Sequence, residues 1–223
     1  MKSVASFVPL LLSVLGTAVA APAGNAAVQT LARRNYTEIY SDQLVDGTPC
    51  RDVTVIYARG TGQEGNIGEP TDVGPLFLND LGVLVGSGNL AAQGVNYSAD
   101  VTGFELGGDA TGSALMAELA TQAYTQCPDT QLVLSGYSQG GQLVHNAAKK
   151  LSSDVTDFVA AVLIFGDPDN GEAVGDIPSD KVHVICHALD GICLHLGLIT
   201  LEHLNYQDDA PAAAEWVATE LGY

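Results

Sequence analysis

Gly136-Tyr137-Ser138-Gln139-Gly140 constrains this 223-residue chain more than any other segment, because it sets one serine at the junction of a strand and a helix. Upstream, Gln131-Leu132-Val133-Leu134-Ser135 is a short, mostly apolar run that reads as a buried strand. Downstream, Leu143, Val144, Ala147, Ala148 and Leu151 recur at helical spacing, which predicts a helix over 142–151. The bare pattern Gly-x-Ser-x-Gly arises by chance in many chains. Flanked in this way, it fits a sharp strand-to-helix turn that lifts a serine hydroxyl to the edge of a sheet. Gly136 and Gly140 have no β-carbon to collide where the two elements cross closely. The new helix also directs its free N–H groups and positive dipole end at whatever the serine attacks.

The rest of the chain alternates in the same manner. Strands are expected near Asp52–Ala58, Val95–Val101, Phe158–Phe165 and Lys181–His187, with helices over about Gly112–Gln126 and Ala210–Glu220. Continuous apolar strands separated by helices predict an α/β fold, a single-domain three-layer α/β/α sandwich around a central, mostly parallel sheet covered on both faces. Without its first 34 residues the chain has about 190, enough for one domain with a substantial core, and no repeat or linker interrupts it. In such sheets the site lies beyond the carboxyl ends of the strands, where Ser138 falls.

The N-terminus has a different character. Lys2 precedes the apolar stretch Val4–Leu15 and the small residues Gly16-Thr17-Ala18-Val19-Ala20, which together read as a secretory signal peptide over 1–20. That stretch is short for a membrane span and nothing later resembles one, so no stable membrane anchoring is expected. Ala21 to Arg34 ends in the dibasic pair Arg33-Arg34 and reads as a pro-segment, leaving 35–223 as the catalytic domain. Asn35-Tyr36-Thr37 and Asn96-Tyr97-Ser98 are glycosylation sequons. The formal charge is −18, and removing Lys2, Arg33 and Arg34 with no acids takes it to −21. Such a surface repels nucleic acid and anionic membranes, points to a neutral or weakly charged substrate, and also serves solubility. A small acidic chain of this kind is expected to be a monomer.

Cys50, Cys127, Cys186 and Cys193 are an even set in an exported chain, which argues for two disulfides. Three pairings are possible. Cys186 and Cys193 flank a short loop that they can close locally, which leaves Cys50 with Cys127; the spacing suits no common zinc pattern.

A serine needs a base, because a free hydroxyl is a poor nucleophile at neutral pH. Of the five histidines, His145 reads as a polar residue of the helix after Ser138, and His183 as a structural residue inside a strand. His187 and His195 flank the small cysteine loop. His203 follows Ser138 at long range and precedes the last helix, giving the order serine, acid, histidine expected of an α/β-hydrolase-like sheet. Asp190 is the preferred acid because a loop closed around it would hold its carboxylate still. Asp167, Asp169, Asp176 and Asp180 lie in the same interval and read as surface or turn acids.

Four motifs then carry a resemblance. They are Ala58-Arg59-Gly60-Thr61 with Gly65-Asn66-Ile67-Gly68, the segment around Ser138, the loop Cys186…Asp190…Cys193, and His203-Leu204-Asn205-Tyr206. In this order, from about Cys50 to the C-terminus, the chain resembles the fungal cutinases and cutinase-like esterases. The resemblance implies Ser138, Asp190 and His203 as catalytic residues. It implies an oxyanion hole from the Gln139 backbone N–H together with the N–H and hydroxyl of Thr61, where the family often has serine. It also pairs Cys50 with Cys127 and Cys186 with Cys193, and it requires no metal or organic cofactor.

The same fold and turn serve acetylxylan esterases, so the substrate must be read from the loops. Leu194-His195-Leu196-Gly197-Leu198-Ile199 and the run Leu76–Val85 are greasy. If they flank the serine as their cutinase counterparts do, Leu81, Leu84, Leu194, Leu196, Leu198 and Ile199 line an acyl or polyester site; otherwise these leucines are core. Polyesters and short-to-medium acyl esters are therefore the expected substrates, with acetylated xylan second. A catalytically idle secreted binding or elicitor protein would be expected to have lost a member of the serine, acid and histidine set.

Overall fold

The computed structural model describes Met1 and residues 36–223. The expected signal peptide, the pro-segment and Asn35 of the first sequon lie outside the described residues. The sequence of elements is β1 (Val53–Ala58), α1 (Val73–Val85), β2 (Leu90–Gly94), α2 (Val101–Glu105), α3 (Ala110–Gln126), β3 (Gln131–Tyr137), α4 (Gln139–Ala148), α5 (Ser153–Phe158), β4 (Val159–Phe165), β5 (Val182–Ile185) and α6 (Ala210–Glu220).

All five strands pair in parallel, in the order β2-β1-β3-β4-β5. Alternation along each strand splits the core in two. Val53, Val55, Tyr57, Val133, Leu163 and Phe165 pack with α1 and α6, whereas Ile56, Leu132, Leu134, Val162 and Ile164 pack with α3 and α4. The layers are thus the expected α/β/α arrangement. The chain leaves β1 for β2 on one side and returns through β3 on the other. A crevice therefore opens at the carboxyl ends of β1 and β3, where Thr61 and Ser138 emerge. Cys50 is bonded to Cys127 and Cys186 to Cys193. Among the described residues no helix is long and apolar enough to cross a membrane.

Two expectations are corrected. The strand expected at Val95–Val101 is instead β2 at Leu90–Gly94, and Asp100 ends that stretch by capping α2, its Oδ1 accepting from Gly103 N–H at 2.7 Å. The greasy run Leu76–Val85 belongs to α1 and does not form a wall of the site. Leu81 is 0 % exposed and packs with Phe77, Leu78 and Val85 beneath the sheet, their spacing marking one helix face. Leu84 is exposed on the same helix.

Candidate active site

β3 delivers Tyr137 to the sheet edge and the chain turns at Ser138, whose φ of 54° and ψ of −120° are strained for a residue with a side chain. The turn is fixed from both sides. Ser138 N–H donates to the Phe165 carbonyl of β4 at 2.9 Å, and Gly141 N–H donates to the Ser138 carbonyl at 2.8 Å. A β-carbon on Gly140 would lie 2.0 Å from the Ala58 carbonyl oxygen, and one on Gly136 would lie 2.4 Å from Gly140, so neither site accepts a side chain. Ser138 is 7 % exposed, which leaves its hydroxyl within reach of a ligand.

His203 rises from a short 3₁₀ turn, Glu202–Leu204, and is buried with its Nε2 2.9 Å from Ser138 Oγ. Its Nδ1 stands 2.8 Å from Asp190 Oδ2. A carboxylate there can only accept, so Nδ1 carries the proton and Nε2 is free to accept from the serine. Tyr137 donates its hydroxyl to the His203 carbonyl at 2.7 Å and stacks its ring on the imidazole with centroids 5.3 Å apart.

Asp190 is wholly buried in the loop that the Cys186–Cys193 bond closes. Burial by itself would raise its pKa. The Tyr206 hydroxyl at 2.6 Å, His203 and the Ile192 N–H at 2.8 Å outweigh that and hold it below the usual carboxylate value. Tyr206 has a second tie, accepting from His187 N–H at 3.0 Å. Sequence reading placed Tyr206 in a motif without giving it a role.

Thr61 is positioned by the turn after β1. Arg59 is buried, donates through Nε to the Gln63 carbonyl at 2.6 Å and through its guanidinium to the Tyr97 carbonyl at 2.9 Å, and lies over the Tyr97 ring. Gln139, the first residue of α4, donates its side-chain amide to Thr61 Oγ and to the Asp100 carbonyl, each at 2.8 Å. Because Thr61 Oγ accepts that bond, its own proton remains free for a ligand.

Ser138 and His203 open into a mostly apolar cleft of about 400 Å³ lined also by Thr61, Val101, Phe104, Glu105, Tyr137, Ile192, Gly197, Ile199 and Leu204. Of the six apolar residues expected at the site, Ile199 lines this cleft. Leu194, Leu196 and Leu198 are exposed on the same loop without lining it, and Leu81 and Leu84 belong to α1. Val101, Phe104 and Leu204 were missed. The first two lie in α2; the strand expected at Val95–Val101 reaches only its first residue, and Phe104 falls outside every expected element. A second, more polar cleft of about 470 Å³ adjoins it, sharing Thr61, Tyr137 and Leu204, and is walled by Glu64, Glu69, Asp72 and Gln207.

The other histidines have separate surroundings. His183 is stacked on Trp216, and its burial lowers its pKa. His187 bonds Asp209 at 2.7 Å, and exposed His195 faces the Pro168 carbonyl. His145 is on α4 as expected, but it is fully buried, 3.0 Å from Asp167. Asp167, expected as a surface or turn acid, leads into a turn but is buried, because this partner satisfies it.

A parallel sheet with a strained serine turn at its switch point places the molecule among the α/β-hydrolase-like esterases. The cutinase family model matches residues 49–221. A cutinase of Botryotinia fuckeliana is 50% identical over 178 residues, 80% of this chain and 87% of that one. The structure of a Trichoderma reesei cutinase in complex with a phosphonate inhibitor shares 36% identity and a TM-score of 0.76, covering 89% of this chain and 90% of that one. An acetyl xylan esterase structure matches in fold, with a TM-score of 0.63 at 24% identity over 78% of this chain and 100% of that one. The chain belongs to the cutinase family and is a carboxylic ester hydrolase.

Proposed function

We propose that this protein is a secreted serine esterase that cleaves cutin-like polyesters and short-to-medium acyl esters through Ser138, His203 and Asp190. The observation that carries the reading is the continuous hydrogen-bonded chain Asp190–His203–Ser138 at the floor of an apolar cleft. His203 Nε2 takes the hydroxyl proton as Ser138 Oγ bonds to the ester carbonyl carbon, and Asp190 stabilises the resulting imidazolium. The Gln139 and Thr61 N–H groups and the free Thr61 hydroxyl proton stabilise the oxyanion, each such donor being worth about 3 kcal/mol. Collapse returns the proton to the departing alcohol. Water, deprotonated by His203, then releases the acid. The route uses no metal or organic cofactor.

The cleft walls support an acyl substrate, since each buried methylene gains about 0.8 kcal/mol against Val101, Phe104, Ile199 and Leu204. The polar cleft beside it suits the alcohol end of the ester. The N-terminal signal pattern supports secretion, and exposed Asn96 is open to a glycan. The acidic surface supports a monomer that binds neither nucleic acid nor membrane.

The test compares wild type with Ser138→Ala on p-nitrophenyl butyrate, an insoluble aliphatic polyester and acetylated xylan, with a fluorophosphonate probe reporting on the serine. Labelling at Ser138 and release of hydroxy acids from polyester support the proposal. Acetate from xylan without polyester attack would replace the substrate, and unlabelled Ser138 would refute the mechanism and favour a binding protein.

A further inference from the structure

His145 and Asp167 form a buried pair that the hydrolytic steps do not use. Both residues are 0 % exposed, and they link two elements. His145 lies on α4, two turns beyond Ser138, and Asp167 lies in the loop that leaves β4. Imidazole Nε2 is 3.0 Å from Asp167 Oδ2, and Nδ1 is 3.3 Å from the Ala173 carbonyl oxygen. A carbonyl accepts only, and so does a carboxylate. Satisfying both therefore needs a proton on each ring nitrogen, which is the imidazolium form.

The loop that this cation holds touches the surroundings of Ser138, His203 and Asp190. Phe165, two residues before Asp167, accepts the Ser138 N–H at 2.9 Å. At Gly166 a β-carbon would stand 2.9 Å from His203 Cε1, so the imidazole of His203 rests directly on this backbone. Pro168 faces His195 Nδ1 through its carbonyl at 2.9 Å, and Asn170 donates to the Cys193 carbonyl at 3.5 Å. His195 and Cys193 belong to the segment that carries Asp190.

We propose that His145 and Asp167 are a positioning pair, in which a doubly donating imidazolium ties the nucleophile's helix to the β4 loop and so keeps Ser138, His203 and the Asp190 loop in register. The inference rests on the serine esterase reading given above. The carboxylates acting on His145 are those of Asp167 and Asp169, both in the β4 loop; Glu172 and Lys149, the latter the residue that follows α4, act on Asp169. Burial lowers the His145 pKa, and the bond and charge of Asp167, with Asp169 and the Ala173 carbonyl, outweigh it and raise the value. The pair is therefore intact below the raised value and loses a donor as pH rises through it. Activity then has an alkaline limb set by His145, a residue that never meets substrate.

The experiment measures kcat and KM on p-nitrophenyl butyrate from pH 5 to 10 for wild type, His145→Gln and Asp167→Asn, with active serines counted by fluorophosphonate titration. Loss of register should lower kcat per titrated serine about tenfold at pH 7 with KM nearly unchanged. His145→Gln should abolish the alkaline inflection and Asp167→Asn should move it to lower pH. Variants that merely melt earlier, with wild-type kcat per serine and an unmoved inflection, would overturn the proposal. Nuclear magnetic resonance of ¹⁵N-histidine wild type decides the matter if the variants fail to fold. His145 should hold protons on both nitrogens at pH 7 and titrate with the kinetic limb; a neutral ring there refutes the pair. Failure of the underlying esterase reading has a different signature, a wild type that neither labels nor turns over.

Discussion

Tyr206→Phe isolates one oxygen. The Tyr206 hydroxyl donates to Asp190 Oδ2 at 2.6 Å, and the same Oδ2 faces His203 Nδ1 at 2.8 Å, so the two donors share its lone pairs. Phenylalanine keeps the ring that packs among Tyr137, Phe165 and His187 and removes only the donor. A hydrogen bond to a charged group contributes about 1.5–3 kcal/mol, and the His187 N–H loses its acceptor as well. We expect a loss of about 2–3 kcal/mol at pH 8, or about 5–10 °C in Tm for a domain of this size. The sign with pH follows from Asp190. Its folded pKa is depressed, so its contribution is present above the unfolded value of about 4 and fades as pH falls through the folded one. Thermal melts followed by circular dichroism should therefore show the wild-type and variant curves converging at low pH. Equal melting temperatures at pH 8 would refute the reasoning, and a gap that does not narrow on acidification would assign the loss to packing.

The two disulfides should separate stability from activity. Replacing Cys50 and Cys127 by serine opens a closure of 77 residues and should cost about 4.5 kcal/mol, with kcat of the folded fraction unchanged. Replacing Cys186 and Cys193 opens one of 7 residues, about 2.5 kcal/mol, yet should cut kcat more because Asp190 lies inside it; denaturant melts paired with initial rates read both. Gly140→Ala should abolish soluble folded protein on gel filtration, since its β-carbon would meet the Ala58 carbonyl at 2.0 Å. Phe104→Ala and Ile199→Ala should each lower kcat/KM several-fold for p-nitrophenyl octanoate while leaving the acetate nearly unchanged.

Much of this was legible in the sequence wherever the signal is local. The strand, serine turn and helix around Ser138 occupy one continuous stretch, and a continuous apolar run gives way to helical spacing across it. The ends of α6 were readable for the same reason. β2 was not, because Leu90-Ala91-Ala92-Gln93-Gly94 is small and part polar, and its buried Gln93 is satisfied by distant Leu44 N–H and Asp42. Val95–Val101 looked more like a strand only because Asp100 as a cap is silent in composition. Leu81 was misread through its neighbours: a greasy run is the same string whether it walls a cleft or forms a helix face under a sheet. The environments of His145 and Asp167 were hidden because each is polar and its partner lies 22 residues away.

The chain builds this site from its far end inward. By Asp180 synthesis has laid down four of the five strands and the complete turn at Ser138, yet Asp190, His203 and Tyr206 do not exist. They arrive with the last segment, and α6 seals it by packing in the same core layer as α1, the first helix among the described residues. A nascent or truncated chain thus carries a serine with neither its base nor its acid, and hydrolytic power appears only when the two ends of the domain meet.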